Sequence, residues 1–355
     1  MMMHALSTRI PPSIYTPSQG FHKCSFACRV LRQSPLAVPA RAEGIESHRR
    51  SQVLRTTALG TLLSAFHMGS SKAETFGFDI PAGSEKWWTP ETTAVVTGAN
   101  KGIGWAIAAN MAAQGIRTVV AARDEGRGKA AVARIQQETG SKDVLLAQLD
   151  ISDGNSVSAF ANWSQQHLPK GIDILVNNAG VAYKGNAFGP DEAQFTLSTN
   201  FWGTKALCEA LNSQIKDGGR VVNVCSVAGK LRIIKDQALQ QRFETASSPG
   251  DVETLAKKFV DDVRAGRHSQ EGWPNSMYGV SKLCESTYTR ILAKQLQPRR
   301  VTVSACCPGY VSTDMSSHRG VKTTAEGADT PTFLALVLPA EQTGQWWTDR
   351  QSQGF

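Results

Sequence analysis

"TAVVTGANKGIG", residues 93–104, carries a short apolar run directly into a turn that holds Gly98, Gly102 and Gly104. A glycine-rich turn between a strand and a helix lets backbone approach a pyrophosphate, and the helix start adds N–H groups and the positive end of its dipole. The spacing is G-x-x-x-G-x-G rather than G-x-G-x-x-G, so the loop alone also reads as a tight turn. Its position separates the two readings. Five further runs follow: "RTVVAA" (117–122), "DVLLAQL" (143–149), "DILVN" (173–177), "RVVNVCS" (220–226) and "VTVSAC" (301–306). Between the first runs lie "GWAIAANMAAQG", "GKAAVARIQQET", "SVSAFANWSQQHL" and "GTKALCEALNSQIK", which have helical spacing and good helix formers. Strands apolar on both faces that alternate with helices predict an α/β fold, a Rossmann-type doubly wound parallel sheet with right-handed crossovers. In such a sheet the loop after the first strand is where a dinucleotide binds.

The chain has 355 residues, is 41% hydrophobic and 19% charged, and carries a formal charge of +8. Residues 1–90 hold 10 Lys and Arg against 5 Asp and Glu, and the other 265 hold 28 against 25. Most of the excess therefore sits in the first quarter, and no nucleic-acid partner is expected of the rest. No acidic residue precedes Glu43, and the segment is rich in Ser, Thr, Arg and Lys. That composition fits a disordered organelle-targeting extension. Arg49 and Arg50 precede a moderately apolar stretch near residues 56–68. It is too short to cross a bilayer of roughly 30 Å, so no stable membrane insertion is expected, and it resembles the apolar part of a twin-arginine export signal. The expected division is residues 1–88 as presequence and linker and 89–355 as one domain. The expected address is the chloroplast, stroma or thylakoid lumen, with mitochondrion or cytosol as alternatives. Of seven cysteines, the five in the domain are scattered without a C-x-x-C pair or a Cys/His cluster. No metal site is expected, and buried thiols are the simpler reading.

Past the second strand comes "AARDEGRGK". Arg123 suits a ribose 2′-phosphate, and Lys101 in the glycine loop would be a second cation for it. Asp124 is the opposing sign, because an acidic residue there would hold a 2′-hydroxyl instead. Further on, "YGVSK" sets Tyr278 and Lys282 on one face of a helix. A polar surface pair is the ordinary meaning of that spacing; a phenol tuned by an ammonium is the other. Between Ser226 and Tyr278 lie 51 residues, more than a βα connection needs.

Taken together, "TGANKGIG", "LD" (149–150), "NNAG" (177–180), "TNFWGT" (199–204), "VVNVCS" (221–226), "EGWPNSMYGVSK" (271–282) and "CCPGYVSTDM" (306–315) resemble, in order, the motifs of the classical short-chain dehydrogenases/reductases. Within them the interval before Tyr278, an insertion over 230–277, is similar to that of the monomeric carbonyl reductases, so a monomer is expected. The resemblance implies NADPH-dependent reduction of an aldehyde, ketone or quinone, with Tyr278 as general acid, Lys282 lowering its pKa, Ser226 holding the substrate oxygen and Asn200 joining a proton relay. It implies NADP(H) contacts from Gly98, Asn100, Lys101, Gly102, Ile103, Gly104, Arg123, Asp150, Asn177, Ala179, Tyr278, Lys282, Pro308, Gly309, Val311 and Thr313. Asp150 would bond the adenine and Thr313 the carboxamide. Trp273, Pro274, Met277 and Tyr310, with the loop near 181–187, would line an apolar substrate pocket. A non-catalytic NADP(H) sensor and an NAD-dependent alcohol dehydrogenase are the alternatives.

Overall fold

The computed structural model describes residues 75–185 and 187–354. Eight strands form one sheet: β1 Thr93–Thr97, β2 Arg117–Ala122, β3 Val144–Gln148, β4 Ile172–Asn177, β5 Ile215–Val224, β6 Thr302–Cys307, β7 Trp346–Thr348 and β8 Gln351–Gln353. Their order is β3-β2-β1-β4-β5-β6-β7-β8, parallel throughout except for the antiparallel last pair. The six expected strands are present, and every residue of β1, β4 and β6 is buried. β5 starts earlier than expected, at Ile215, through an irregular pairing with β4, so the helix expected over 203–216 stops at Ala210.

The helices are α1 Gly102–Ala113, α2 Glu125–Thr139, α3 Gly154–His167, α4 Pro190–Leu197, α5 Thr204–Ala210, α6 Gln237–Thr245, α7 Pro249–Arg264, α8 Met277–Leu296 and α9 Thr324–Leu336. One core layer packs α1, α2 and α9 on the sheet, and the other packs α3, α4, α5, α7 and α8. α1 is buried on nearly all sides, and its residues are accordingly apolar but for Asn110, which is hydrogen-bonded to Gly77 and Thr332. The insertion supplies α6 and α7. Ser248 and Asp251 form a capping box at the start of α7, whose Val252, Leu255, Phe259 and Val260 are buried in the layer containing α4 and α8.

Two features at the ends of the domain were not foreseen. The β7–β8 hairpin turns through Asp349 and Arg350, both non-glycine residues with positive φ (49° and 59°). Ion pairs hold the turn: Lys322 reaches Asp349, and Arg350 grips Asp329 with Nε 2.8 Å from Oδ2. Residues 75–88 fall in the stretch expected to be presequence and linker, yet they lie on the domain. Phe76 meets Trp105 edge-on at 5.9 Å, the Gly77 amide donates to Asn110 Oδ1 at 2.9 Å, and Trp87 Nε1 donates to the Leu336 carbonyl at 2.8 Å. Trp88 is buried. The folded unit thus includes Thr75, ahead of the boundary expected at residue 89; the targeting expectation for residues 1–74 lies outside the described residues. A chain starting at Thr75 should be more stable to unfolding than one starting at Thr89, by the roughly 3–5 kcal/mol that a buried aromatic contributes, measured in denaturant.

Candidate active site

The glycine loop is shaped by contact with the turn after β4. Gly98 lies in the left-handed region (φ 62°), and a Cβ there would come within 2.9 Å of Ala179 Cα. A Cβ on Gly104 would lie 2.3 Å from Asn178 Nδ2. The two loops are tied by the Thr97 hydroxyl, which accepts the amides of Asn178 (3.0 Å) and Ala179 (2.9 Å). Lys101 at the N-cap makes no side-chain cap, and the first turn of α1 holds no acidic residue, so the positive end of this helix dipole suits an anion. The loop after β6 approaches from the other side. Ile103 and Val311 both pack on Gly327 of α9, and the Thr313 methyl lies 3.5 Å from where a Cβ on Gly102 would sit. Lys101, expected beside Arg123, instead pairs with Asp314, which also holds His318 at 2.9 Å. Its ammonium is drawn toward the Thr313 loop by the nearest carboxylate.

At the other end of the cleft, Arg123 is exposed, with its guanidinium 3.5 Å from Asp150. Asp124 is engaged as the N-cap of α2, accepting the Arg127 amide at 2.8 Å. That backbone hydrogen bond holds its carboxyl below the usual range. An acid tied up in this way leaves the end of β2 to cations, and Arg127, in the first turn of α2, is a second exposed guanidinium that the reading of the sequence passed over. The R-x-x-x-R spacing was the signal. Burial works to raise the Asp150 carboxyl, but the Ser152 hydroxyl and amide and the Arg123 charge outweigh it and hold it low. Asn177 departs from expectation. Its Nδ2 donates to Asn223 Oδ1 at 2.8 Å and to Cys208 Sγ at 3.3 Å, inside the sheet, so its side chain does not flank a ribose. The alternation of β4 turns it inward and presents Asn178 and Ala179 to the glycine loop.

The catalytic candidates come together where β5 ends. Between α4 and α5 the chain makes a π-helical turn, Ser198–Gly203, a device frequent at functional sites, with Asn200 fully buried in it. Asn200 Oδ1 accepts the Val181 amide (2.8 Å), and its Nδ2 donates to the Val181 carbonyl and to Ser281 Oγ (both 2.9 Å). Ser226 opens a short 3-10 turn, its Oγ accepting the Ala228 amide at 3.2 Å. Lys282 Nζ donates to the Val224 carbonyl at 2.8 Å and to Glu285 Oε2 at 2.7 Å. A Cβ on Gly180 would lie 3.2 Å from Asn200 Oδ1 and 3.6 Å from Lys282 Nζ, so both converge on one glycine. Burial raises the Tyr278 phenol above its ordinary pKa, while the Lys282 charge and a hydrogen bond with Ser226 pull it back. Burial opposes the Lys282 ammonium, but Glu285 above all, then Tyr278, keeps it charged. Glu285 was not singled out in the sequence. The sign was a carboxylate three residues past the lysine, within the largely apolar turns of α8.

A family model described as short chain dehydrogenase matches residues 92–238 and 264–323. The chain belongs to the short-chain dehydrogenase family. It is an oxidoreductase, and the unmatched residues between those spans hold most of α6 and α7. This short-chain dehydrogenase is 43% identical to carbonyl reductase [NADPH] 3 of Rattus norvegicus over 73% of its own length and 97% of the relative's. It is also 43% identical to carbonyl reductase [NADPH] 1 of Mus musculus, over 69% and 91%. Among solved structures it is similar to salutaridine reductase from Papaver somniferum (TM-score 0.66, 28% identity, 72% of this chain and 99% of that one). Menthone neomenthol reductase from Mentha piperita gives a TM-score of 0.61 at 30% identity, over 72% and 97%.

The substrate wall of this short-chain dehydrogenase differs from expectation. Trp273 is buried between Phe243 (6.1 Å) and Phe259 (5.3 Å), with Nε1 donating to Asp262 Oδ2 at 2.9 Å. It is a core residue of the insertion, and Met277 is buried in the same layer. Of the large apolar side chains exposed among the described residues, most stand in loops at the carboxyl ends of the strands: Tyr183 after β4, Val227 after β5, and Tyr310, Met315 and Val321 after β6, while Phe195 on α4 meets Tyr183 edge-on at 6.1 Å. The five cysteines of the domain are buried, and burial pushes the Cys208 thiol up to about 12. Replacing Trp273 with alanine should lower stability by roughly 3–5 kcal/mol in denaturant unfolding, whereas Tyr310→Ala should leave the midpoint unchanged and raise KM for substrate.

Proposed function

We propose that the protein is an NADPH-dependent carbonyl reductase acting on an apolar aldehyde, ketone or quinone. The observation that carries this reading is the meeting of Ser226, Tyr278, Lys282 and Asn200 beside the glycine loop, in a chain similar to proteins named carbonyl reductase [NADPH]. The start of α1 would hold the phosphates of NADPH, and Arg123 and Arg127 its 2′-phosphate; the bound cofactor would supply the hydride. The Ser226 hydroxyl donates a hydrogen bond to the carbonyl oxygen and fixes its position. Tyr278 gives its phenolic proton to that oxygen as the carbon is reduced, and Lys282 stabilises the phenolate left behind. Asn200 positions the helix that carries both, through Ser281, whose hydroxyl donates to the Tyr278 carbonyl at 2.8 Å.

We propose further that the protein is monomeric, supported by α7, which covers α4 and α8, and that it resides in the plastid stroma. The basic, acid-poor composition of residues 1–42 supports that address, and a fluorescent fusion in cells distinguishes it from the lumen, the mitochondrion and the cytosol.

NADPH oxidation against a panel of aldehydes, ketones and quinones tests the activity. Tyr278→Phe should lower kcat by about 10²–10⁴-fold with cofactor affinity retained. Cofactor binding without turnover on any panel member would favour a sensor. Arg123→Ala should raise KM for NADPH about tenfold and leave NADH kinetics unchanged, the loss of one charge-assisted contact to the 2′-phosphate. Equal effects on both cofactors would overturn that role.

A further inference from the structure

The side chain of Glu285 has one hydrogen-bond partner among the described residues, Lys282. Its side chain is 1% exposed, Oε2 lies 2.7 Å from Lys282 Nζ, and Oε1 is buried without a hydrogen bond. A carboxylate in that setting is costly, since ionised groups taken from water need several donors to offset the loss. An apolar residue would pack there more cheaply, as Leu283 and Ile291 do elsewhere on the same helix. What Glu285 does accomplish is to engage the ammonium on which Tyr278 depends. Of the three N–H groups of Lys282, one goes to Val224 and one to Glu285, which leaves one for the side of the cleft where Gly180 and Asn200 sit.

We propose that Glu285 is a positioning residue for carbonyl reduction, whose carboxylate partly cancels the Lys282 charge felt by Tyr278 and so keeps the phenol in its proton-donating form. The inference rests on the carbonyl-reductase reading and deepens it. In reduction the Tyr278 O–H bond breaks, a new O–H bond forms at the carbonyl oxygen and hydride goes to carbon; the reverse reaction needs the phenolate first. A carboxylate that disfavours the phenolate therefore biases the enzyme toward reduction. The groups facing this pair are few. Lys282 and Tyr278 are on α8, Cys225 ends β5, Cys306 and Cys307 are on β6, and Cys208 is on α5. Burial keeps Cys208, Cys225 and Cys306 neutral, so Lys282 is the one cation that Glu285 meets among these groups. Burial raises the Glu285 carboxyl to about 7 against the pull of Lys282, so the effect is present above that pH and fades below it.

The test is Glu285→Gln, which keeps the shape and removes the charge. In the variant, the pH at which alcohol oxidation reaches half its maximum should fall by about one unit, and oxidation at neutral pH should rise about tenfold. Superimposable profiles in the two proteins would overturn the proposal. A readout that needs no substrate runs beside it: the ultraviolet phenolate absorbance of Tyr278, taken as the difference from Tyr278→Phe in each background. Its midpoint should fall by the same amount, and an unchanged midpoint would overturn the proposal. If the glutamine variant does not accumulate, Glu285→Leu fills the space without a polar atom and is read in the same way. A shifted midpoint in a protein that turns over no carbonyl would sustain the electrostatic role of Glu285 and refute the reductase reading.

Discussion

A lysine ammonium buried where three elements meet is the constraint on which the rest of the site depends. Lys282 is only 5% exposed, and it stays charged because β5 offers it a carbonyl and α8 offers it a carboxylate. Neither partner is adjustable. The carbonyl fixes how α8 lies against the end of β5, and the loop carrying Ser226 must then run so close to the helix that a Cβ on Gly229 would be 2.5 Å from the Lys282 backbone. Serine, tyrosine and lysine are therefore set by one packing contact rather than by three independent loops. The π-helical turn completes the frame, because it lets Asn200 bind Val181 on one side and Ser281 on the other.

Support for that frame comes from regions with no chemistry of their own. Asp262, buried on α7, is held by Lys258 at 2.6 Å, Arg267 at 3.0 Å and the Trp273 indole at 2.9 Å. This network pins the approach to α8 just ahead of Tyr278, so the insertion works as a brace for that helix. At the opposite face the arginine of the β7–β8 turn, Arg350, lies over Phe78 (5.0 Å) and Phe333 (5.5 Å), which joins both ends of the domain to α9. α9 in turn receives Ile103 and Val311, and with them the two loops that flank the cofactor cleft.

Much of this was readable from the residues, for reasons that are local. Runs such as "TAVVT" and "DILVN", alternating with helical segments, read as strands buried on both faces, and the glycines at 98 and 104, placed after the first of them, sit where two turns touch. The Tyr278 and Lys282 spacing is a property of any helix. What escaped depended on contacts distant in the chain. Trp273 reads as a pocket aromatic until α6 and α7 fold over it, and Asn177 reads as a cleft residue until β4 takes its alternation. The β7–β8 turn carries none of the Gly or Asn residues that announce such a turn, because ion pairs to Lys322 and Asp329 hold its positive φ angles instead. Glu285 escaped because an acid on a helix is normally solvated.

Linkage makes the cost of that acid explicit. The Glu285 carboxyl is raised from an ordinary 4.5 to about 7, which means the folded protein holds this proton more tightly than the unfolded chain does. Its contribution to stability is therefore present below the unfolded value and is lost as pH rises through 7. Lys282 is shifted upward too, so its own contribution persists through neutral pH and disappears only when the ammonium deprotonates. Near neutrality the pair thus gains from the lysine and loses from the glutamate. A fold selected for stability alone has simpler solutions, such as an apolar side chain and a lysine that reaches water. Retaining both charges in a dry interior makes sense where the state of the neighbouring phenol matters more than the stability lost to hold it.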